Sequence, residues 1–354
     1  MEGYKENINI RKMMIDGVQN ELPQHDFLEK TFISGRIMHE TTKVEWDKKT
    51  DSRAIAKFVS RDSDGVVVQH GSFDTYTTAP AYIFEKMLFT PDLAENRAFG
   101  LNQYQAMSNE QKITLMVAEA WKSLRTRAAR KREQMVAEAL YTGKVQAVGV
   151  GTNGVVDFDY KPDNIITLTG TGAWDGTASD PFKDLDKWCI ARQKASGKYP
   201  NKVIISHDVA HVFLDHPKVA EYLDRNRQDV IDLEPELLSN GVSRVGKFRL
   251  YSGTITVYIY NEWYDHPDTG LLTPMVPNGT VLLGYSGSDA QNEMHYGYIN
   301  NFNANLRAMP EFPNAWISED GRKQWITLES APMVALRRPE LFTVAHVLNS
   351  PFDV

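Results

Sequence analysis

The 354-residue chain predicts an α+β protein organised around one long helix. Three observations carry that prediction. Residues Ser108 to Thr142 hold an uninterrupted helical pattern. Residues Thr41 to Phe89 are β-rich but contain little apolar material. Between about residues 155 and 305, helical and strand patterns interleave.

The helix has recognisable ends. Ser108 followed by Gln111 forms a capping-box start, and Gly143 is a natural stop. No glycine or proline lies between them, and apolar residues recur at Ile113, Val117, Ala120, Leu124 and Ala128, resuming at Met135 and Ala139. At ~1.5 Å per residue this helix is on the order of 50 Å long, more than the width of an ordinary compact domain, so a strut is expected. Opposite the stripe, Lys122, Arg125, Arg127, Arg130, Lys131 and Arg132 concentrate positive charge. Such a run reads either as a solvated helix face or as a surface facing DNA or an acidic partner without base readout.

In chain order, residues 1–40 are weakly patterned, are interrupted by Pro23 and Gly35, and read as an arm. Strand patterns follow at Lys43 to Trp46, Ile55 to Val59, Val66 to Gln69 and Tyr82 to Phe84, with Asp62, Ser63, Asp64 and Gly65 as a turn. This hairpin is too poor in apolar residues to stand alone and is expected to lean on another element or subunit. After the helix, Val145 to Val150 and Val155 to Tyr160 predict a second hairpin, turning at Thr152, Asn153 and Gly154. Helices are expected at Phe182 to Ala195, Val209 to Asp215 and Lys218 to Arg225, with strands at Lys202 to Ser206, Phe248 to Tyr251, Thr254 to Asn261 and Thr280 to Gly284. The last fifty residues return to strand at Trp325 to Glu329, Met333 to Leu336 and Leu341 to Val347.

Composition narrows the class. A hydrophobic fraction of 42% and a charged fraction of 24% are those of a soluble globular protein. No apolar run approaches the ~20 residues of a membrane span, no signal peptide is visible at the N-terminus, and a cytosolic protein is expected. The single Cys189 excludes an intrachain disulfide or a cysteine metal cluster. A net charge of -7 argues against a dedicated nucleic-acid reader but leaves room for a local basic surface.

Three motifs invite an enzymatic reading. Gly149 to Gly154 spells G-x-G-x-x-G, but strand-forming Val155, Val156, Asp157 and Phe158 follow where a dinucleotide site needs a helix. His207, His211 and His216 could chelate zinc, the first two at helical i and i+4 spacing. A zincin would place Glu after the first His, and Asp208 stands there instead. Asp157 and Asp159 share a strand face but need a pocket to separate their pKa values. No catalytic constellation, cofactor site or metal site emerges.

The C-terminal third carries a resemblance. Trp325-Ile-Thr-Leu-Glu-Ser-Ala-Pro-Met-Val-Ala-Leu336, followed by Pro339 to Val344, resembles the end of the major capsid protein E family of lambda-like tailed phages. Similar runs occur upstream in the same order: Leu140 to Lys144, Pro277 to Gly284, Tyr296-Gly297, then Pro313, Asn314 and Trp316. Glu329 departs from the family's Gln. The first hundred residues resemble the family in layout alone, with Thr41, Thr42, Lys43 and Val44 at the start of its extended loop.

This resemblance implies the Hong Kong 97-type capsid fold. The arm would be 1–40, the extended loop 41–90, a peripheral domain 91–154 with the spine helix, and an axial domain 155–305. Strands in 306–354 would return to the peripheral domain. It also implies the major capsid protein of a tailed double-stranded DNA phage or prophage, assembling as hexamers and pentamers into an icosahedral head, with no enzymatic activity. Register between neighbours could be set at the loop tip by Arg61, Asp62 and Asp64. Scaffold, portal and decoration proteins and packaged DNA are the implied partners, with assembly in the bacterial cytoplasm and residence in the virion. An encapsulin-type compartment shell is the alternative within the fold, and a histidine-dependent metallohydrolase the alternative outside it.

Overall fold

A computed structural model describes residues 26–49, 55–56, 58–61, 73–90, 109–149, 152–225, 236–239 and 241–351. The strut is a single helix, Asn109–Thr142. It ends where Gly143 enters the left-handed region at φ 70°, with the Gly143 N–H on the Ala139 carbonyl at 3.0 Å. A side chain at 143 would collide with the Tyr160 ring, so glycine is required by both backbone and space.

The two halves of this spine helix enter different cores. Val117, Ala120, Trp121, Leu124 and Ala128 pack on Ile326 and Leu328 of a three-stranded antiparallel sheet. That sheet has Phe312–Ile317 and Ile83–Phe89 on either side of Gln324–Ser330. Met135, Val136, Ala139 and Leu140 instead join the main core. Of the expected stripe, only Ile113 lies exposed, near the start of the helix.

The main core abuts a seven-stranded mixed sheet. Its strand order is Ile165–Thr167, Thr343–His346, Thr280–Gly284, Lys202–Ser206, Thr254–Tyr260, Val242–Arg249 and Glu236–Ser239. On the sheet's other side, the helices Pro181–Ser196, His207–Leu214 and Pro217–Arg225 enclose a second core around Trp174, Leu185, Phe213 and Phe248. The first of these helices starts as expected: Asp180 accepts the Lys183 N–H at 3.2 Å, Pro181 occupies the first turn and Gly197 closes the helix at φ 78°.

Several expectations are corrected. Residues 26–39, within the expected arm, pack into the body of the subunit. The helix Phe27–Phe32 buries Leu28 and Phe32, and Gly35–Met38 runs parallel to Glu293–Tyr296. The hairpin is Val44–Lys49 with Phe73–Thr78, whereas Ile83–Phe89 pairs with Gln324–Ser330 and belongs to the sheet on the spine helix. Ile55, Phe58 and Val59 are not in strand, and Val66 to Gln69 and Asp62 to Gly65 lie outside the described residues.

The hairpin root also has a core. Val44 and Trp46 are buried, and Trp46 stacks on Tyr76 at 5.8 Å between ring centroids. The second hairpin pairs Gly149 with Thr152, so its turn falls before Asn153 and Gly154, which are in strand. Thr343–His346 does not return to the spine helix. Its neighbours flank it on both edges and Val344 and Ala345 are buried, which makes it an interior strand of the seven-stranded sheet.

Candidate assembly surfaces

The basic run of the spine helix divides by helical position. Leu124, Ala128, Arg132, Val136 and Leu140 are spaced by four, so Arg132 falls on the buried stripe rather than on the solvated face. Its guanidinium lies 2.9 Å from Glu311 Oε1 and 3.5 Å from Glu29 Oε2. Arg125 Nε reaches Glu311 Oε2 at 2.9 Å, and Arg127 grips Glu85 through two hydrogen bonds of 2.6 and 3.0 Å. Arg36 closes on Glu29 at 2.7 Å. Lys122, Arg127, Arg130 and Lys131 keep their side chains exposed.

Beside Arg132, Glu133 is fully buried. Its carboxylate accepts the backbone N–H groups of Leu28 at 2.6 Å and Glu29 at 3.1 Å, and the Tyr260 hydroxyl at 3.0 Å. The spine helix thereby supplies the N-terminal cap of the Phe27–Phe32 helix, whose own Asp26 makes no side-chain cap. Burial pushes the Glu133 carboxyl up to about 7, against the downward pull of those three donors. Glu29, Glu133 and Glu311 were not singled out from sequence, and Arg132, expected on the basic face opposite the stripe, is instead buried. The gap in the apolar stripe between Ala128 and Met135, read with i+4 spacing, was the available signal for Arg132.

The extended loop presents the opposite chemistry. Ile55 and Phe58 are 91% and 106% exposed, and Val59 is half exposed. Arg61 is exposed beside them, while Asp62 and Asp64 lie outside the described residues. Exposed apolar side chains at the far end of a two-stranded hairpin gain nothing within the subunit.

The enzymatic readings find no support in the geometry. His207 and His211 contact edge to face at 4.9 Å between centroids, but His216 is engaged elsewhere. Its Nδ1 accepts the Lys218 N–H at 3.2 Å, which leaves the proton on Nε2, 3.0 Å from Ser179 Oγ. A histidine donating to serine cannot act as its base. His211, His216, Ser179 and Lys218 border a cavity of about 500 Å³ that is also lined by Trp174 and Asp215, and His207 is not among its lining residues. Among the described residues, no group of three or more His, Cys, Asp or Glu side chains is placed to hold a metal ion.

Asp208, where a zincin has Glu, is consumed structurally. It is buried and accepts the Val209 N–H at 2.9 Å and the Gly279 N–H at 2.6 Å. Asp159 lies beyond the end of its strand, and the hydrogen bond and charge of Lys144 hold the Asp157 carboxyl below its usual range. The G-x-G-x-x-G run sits in a hairpin with no helix after it. No helix of the described residues is long and apolar enough to cross a membrane.

Comparison with known proteins identifies the family. Residues 13–347 match the family described as phage major capsid protein E. The chain is 26% identical over 329 residues to the P21 prophage-derived major head protein of Escherichia coli O6:H1 strain CFT073, covering 91% of this chain and 93% of the relative. The same figures hold for the major capsid protein of Enterobacteria phage P21. A crystal structure of a prophage capsid protein from E. coli CFT073 superposes with a TM-score of 0.70 at 16% identity, over 97% of this chain and 99% of that one. A phage-related protein from Bordetella bronchiseptica RB50 gives a TM-score of 0.55 at 13% identity, over 96% and 97%. The fold is the Hong Kong 97-type capsid fold. The chain belongs to the phage major capsid protein E family, and its role is that of the major capsid protein of a phage or prophage.

Proposed function

We propose that copies of this chain assemble as hexamers and pentamers into an icosahedral head that encloses double-stranded DNA, with the extended loop of each copy lying across a neighbour. The observation that carries this reading is the exposure of Ile55 and Phe58, between the two strands of a hairpin whose root is anchored by Trp46. Large closed shells need heterologous contacts, in which one patch of a subunit meets a different patch of the next. A projecting loop with an apolar end is suited to that geometry. Arg61, Asp62 and Asp64 would add register at the contact, each contributing little energy while exposed.

The exposed cations of the spine helix, Lys122, Arg127, Arg130 and Lys131, supply a DNA-facing surface in this reading, attracted to phosphate without sequence preference. Scaffold, portal and decoration proteins are further partners suggested by the family, with assembly in the bacterial cytoplasm before the head enters the virion. The role is structural rather than catalytic.

Replacing residues 50–72 by a two-residue turn tests the loop. The expected outcome is a folded subunit that no longer forms shells, measured by circular dichroism and electron microscopy. Shells of normal size from that variant would remove the loop from the assembly contact.

A further inference from the structure

Residues 298–308 form a closed loop held by a β-bridge and a network of hydrogen bonds. A β-bridge joins Tyr298 to Ala308, and the Ile299 N–H reaches the Arg307 carbonyl at 3.1 Å. Within the loop, the Asn301 side chain accepts the Asn303 N–H at 2.9 Å and donates to Glu329 Oε1 at 2.6 Å. The other Glu329 oxygen accepts the Tyr82 hydroxyl at 2.5 Å, and that hydroxyl accepts the Asn300 N–H at 3.2 Å. Ile299, Ala304 and Phe312 form a small buried core beneath.

The tip set on this foundation is apolar. Phe302 is 90% exposed and Leu306 45% exposed. Asn305 and Leu306 both occupy the left-handed backbone region, at φ 52° and 54°. Asparagine tolerates that region, but leucine is strained there, and its side chain is not rewarded by burial. A strained leucine beside a solvated phenylalanine, both held by a satisfied polar network, has no purpose inside the subunit.

We propose that Phe302 and Leu306 form a rigid apolar knob that seats in a recess on a second copy of this chain; this rests on the shell reading above. Most backbone N–H groups from Ile299 to Arg307 are satisfied within the loop or by Tyr82, so the contact is made by side chains and not by an added strand. The knob covers on the order of 200 Å², far below the ~1,200 Å² of a stable pairwise complex. It therefore acts only where many contacts close together, and for a shell-forming chain the multivalent partner is the chain itself. A preformed tip loses little freedom on docking, which suits a contact that must form identically at every copy.

The test uses the full chain under conditions in which the parent forms shells, with Phe302→Ser and Leu306→Gly as separate variants. Leu306→Gly relieves the backbone strain, so its subunit melts no lower than the parent, and it stays informative if Phe302→Ser folds poorly. Both variants are expected to raise the concentration threshold for shells by about tenfold or to abolish them, measured by light scattering and electron microscopy. Parent-like assembly of both variants overturns the knob and leaves the shell reading intact. Normal shells from the variants that no longer carry a separate phage protein would also overturn it, because the partner would not be a second copy. A parent that never assembles overturns the shell reading and the knob with it.

Discussion

Glu133 shows how one residue joins two elements. Its carboxylate caps the Phe27–Phe32 helix, and that cap is bought at the cost of burying an acid whose pKa rises to about 7. Because the folded value is raised, Glu133 binds its proton more tightly in the folded state. Its contribution is therefore fully present below about pH 4.5 and is lost as pH rises through about 7, by on the order of 3 kcal/mol. Glu133→Gln cannot ionise, so the parent subunit should lose stability relative to this variant between about pH 5 and 8 in denaturant titrations. Parallel pH profiles would contradict the assignment.

Arg132 makes a contrasting prediction at the same scale. Arg132→Ala leaves buried Glu29 and partly buried Glu311 with one partner fewer and should cost about 3–5 kcal/mol. Lys122→Ala, on the exposed face, should change subunit stability by less than about 0.5 kcal/mol. Equal losses in the two variants, read from urea midpoints, would show that the basic run is not divided as the structure divides it.

At the scale of elements, the spine helix was legible because an uninterrupted periodic segment with a glycine stop carries its own signal. The helix Pro181–Ser196 was legible for the same reason, through Asp180, Pro181 and Gly197. Strand partners were less legible. Ile83–Phe89 follows the extended hairpin in sequence, yet pairs with Gln324–Ser330 some 240 residues away, and nothing in its local alternation reports that choice. The strand Thr343–His346 likewise carries a burial pattern compatible with either sheet. The buried acid–base cluster was missed because charge alone suggests solvent, although the i+4 position of Arg132 placed it on the stripe. On the exposed basic face, Lys122→Gln, Arg130→Gln and Lys131→Gln together should reduce packaged DNA or particle stability at low salt, by a margin that shrinks as added salt screens the parent's charges. Unchanged DNA content across a salt series would return these residues to an ordinary solvated face.

The whole molecule is a subunit with two distinct cores on the seven-stranded sheet and a third under the three-stranded sheet, spanned by the spine helix. Its exposed apolar side chains include Ile55 and Phe58 on the extended loop and Phe302 on a clamped tip, with Tyr251, Leu271 and Leu272 elsewhere on the surface. A protein whose chemistry lay in a pocket would invert that arrangement. Of the histidines lining the 500 Å³ cavity, His216 has both ring nitrogens engaged by Ser179 and the Lys218 N–H. This chain works by assembling with copies of itself. Electron microscopy of the chain produced alone and with its neighbouring phage genes tests it most directly. Closed shells, tubes or hexameric rings are the predicted result, and a strict 40.1 kDa monomer in both preparations would contradict it.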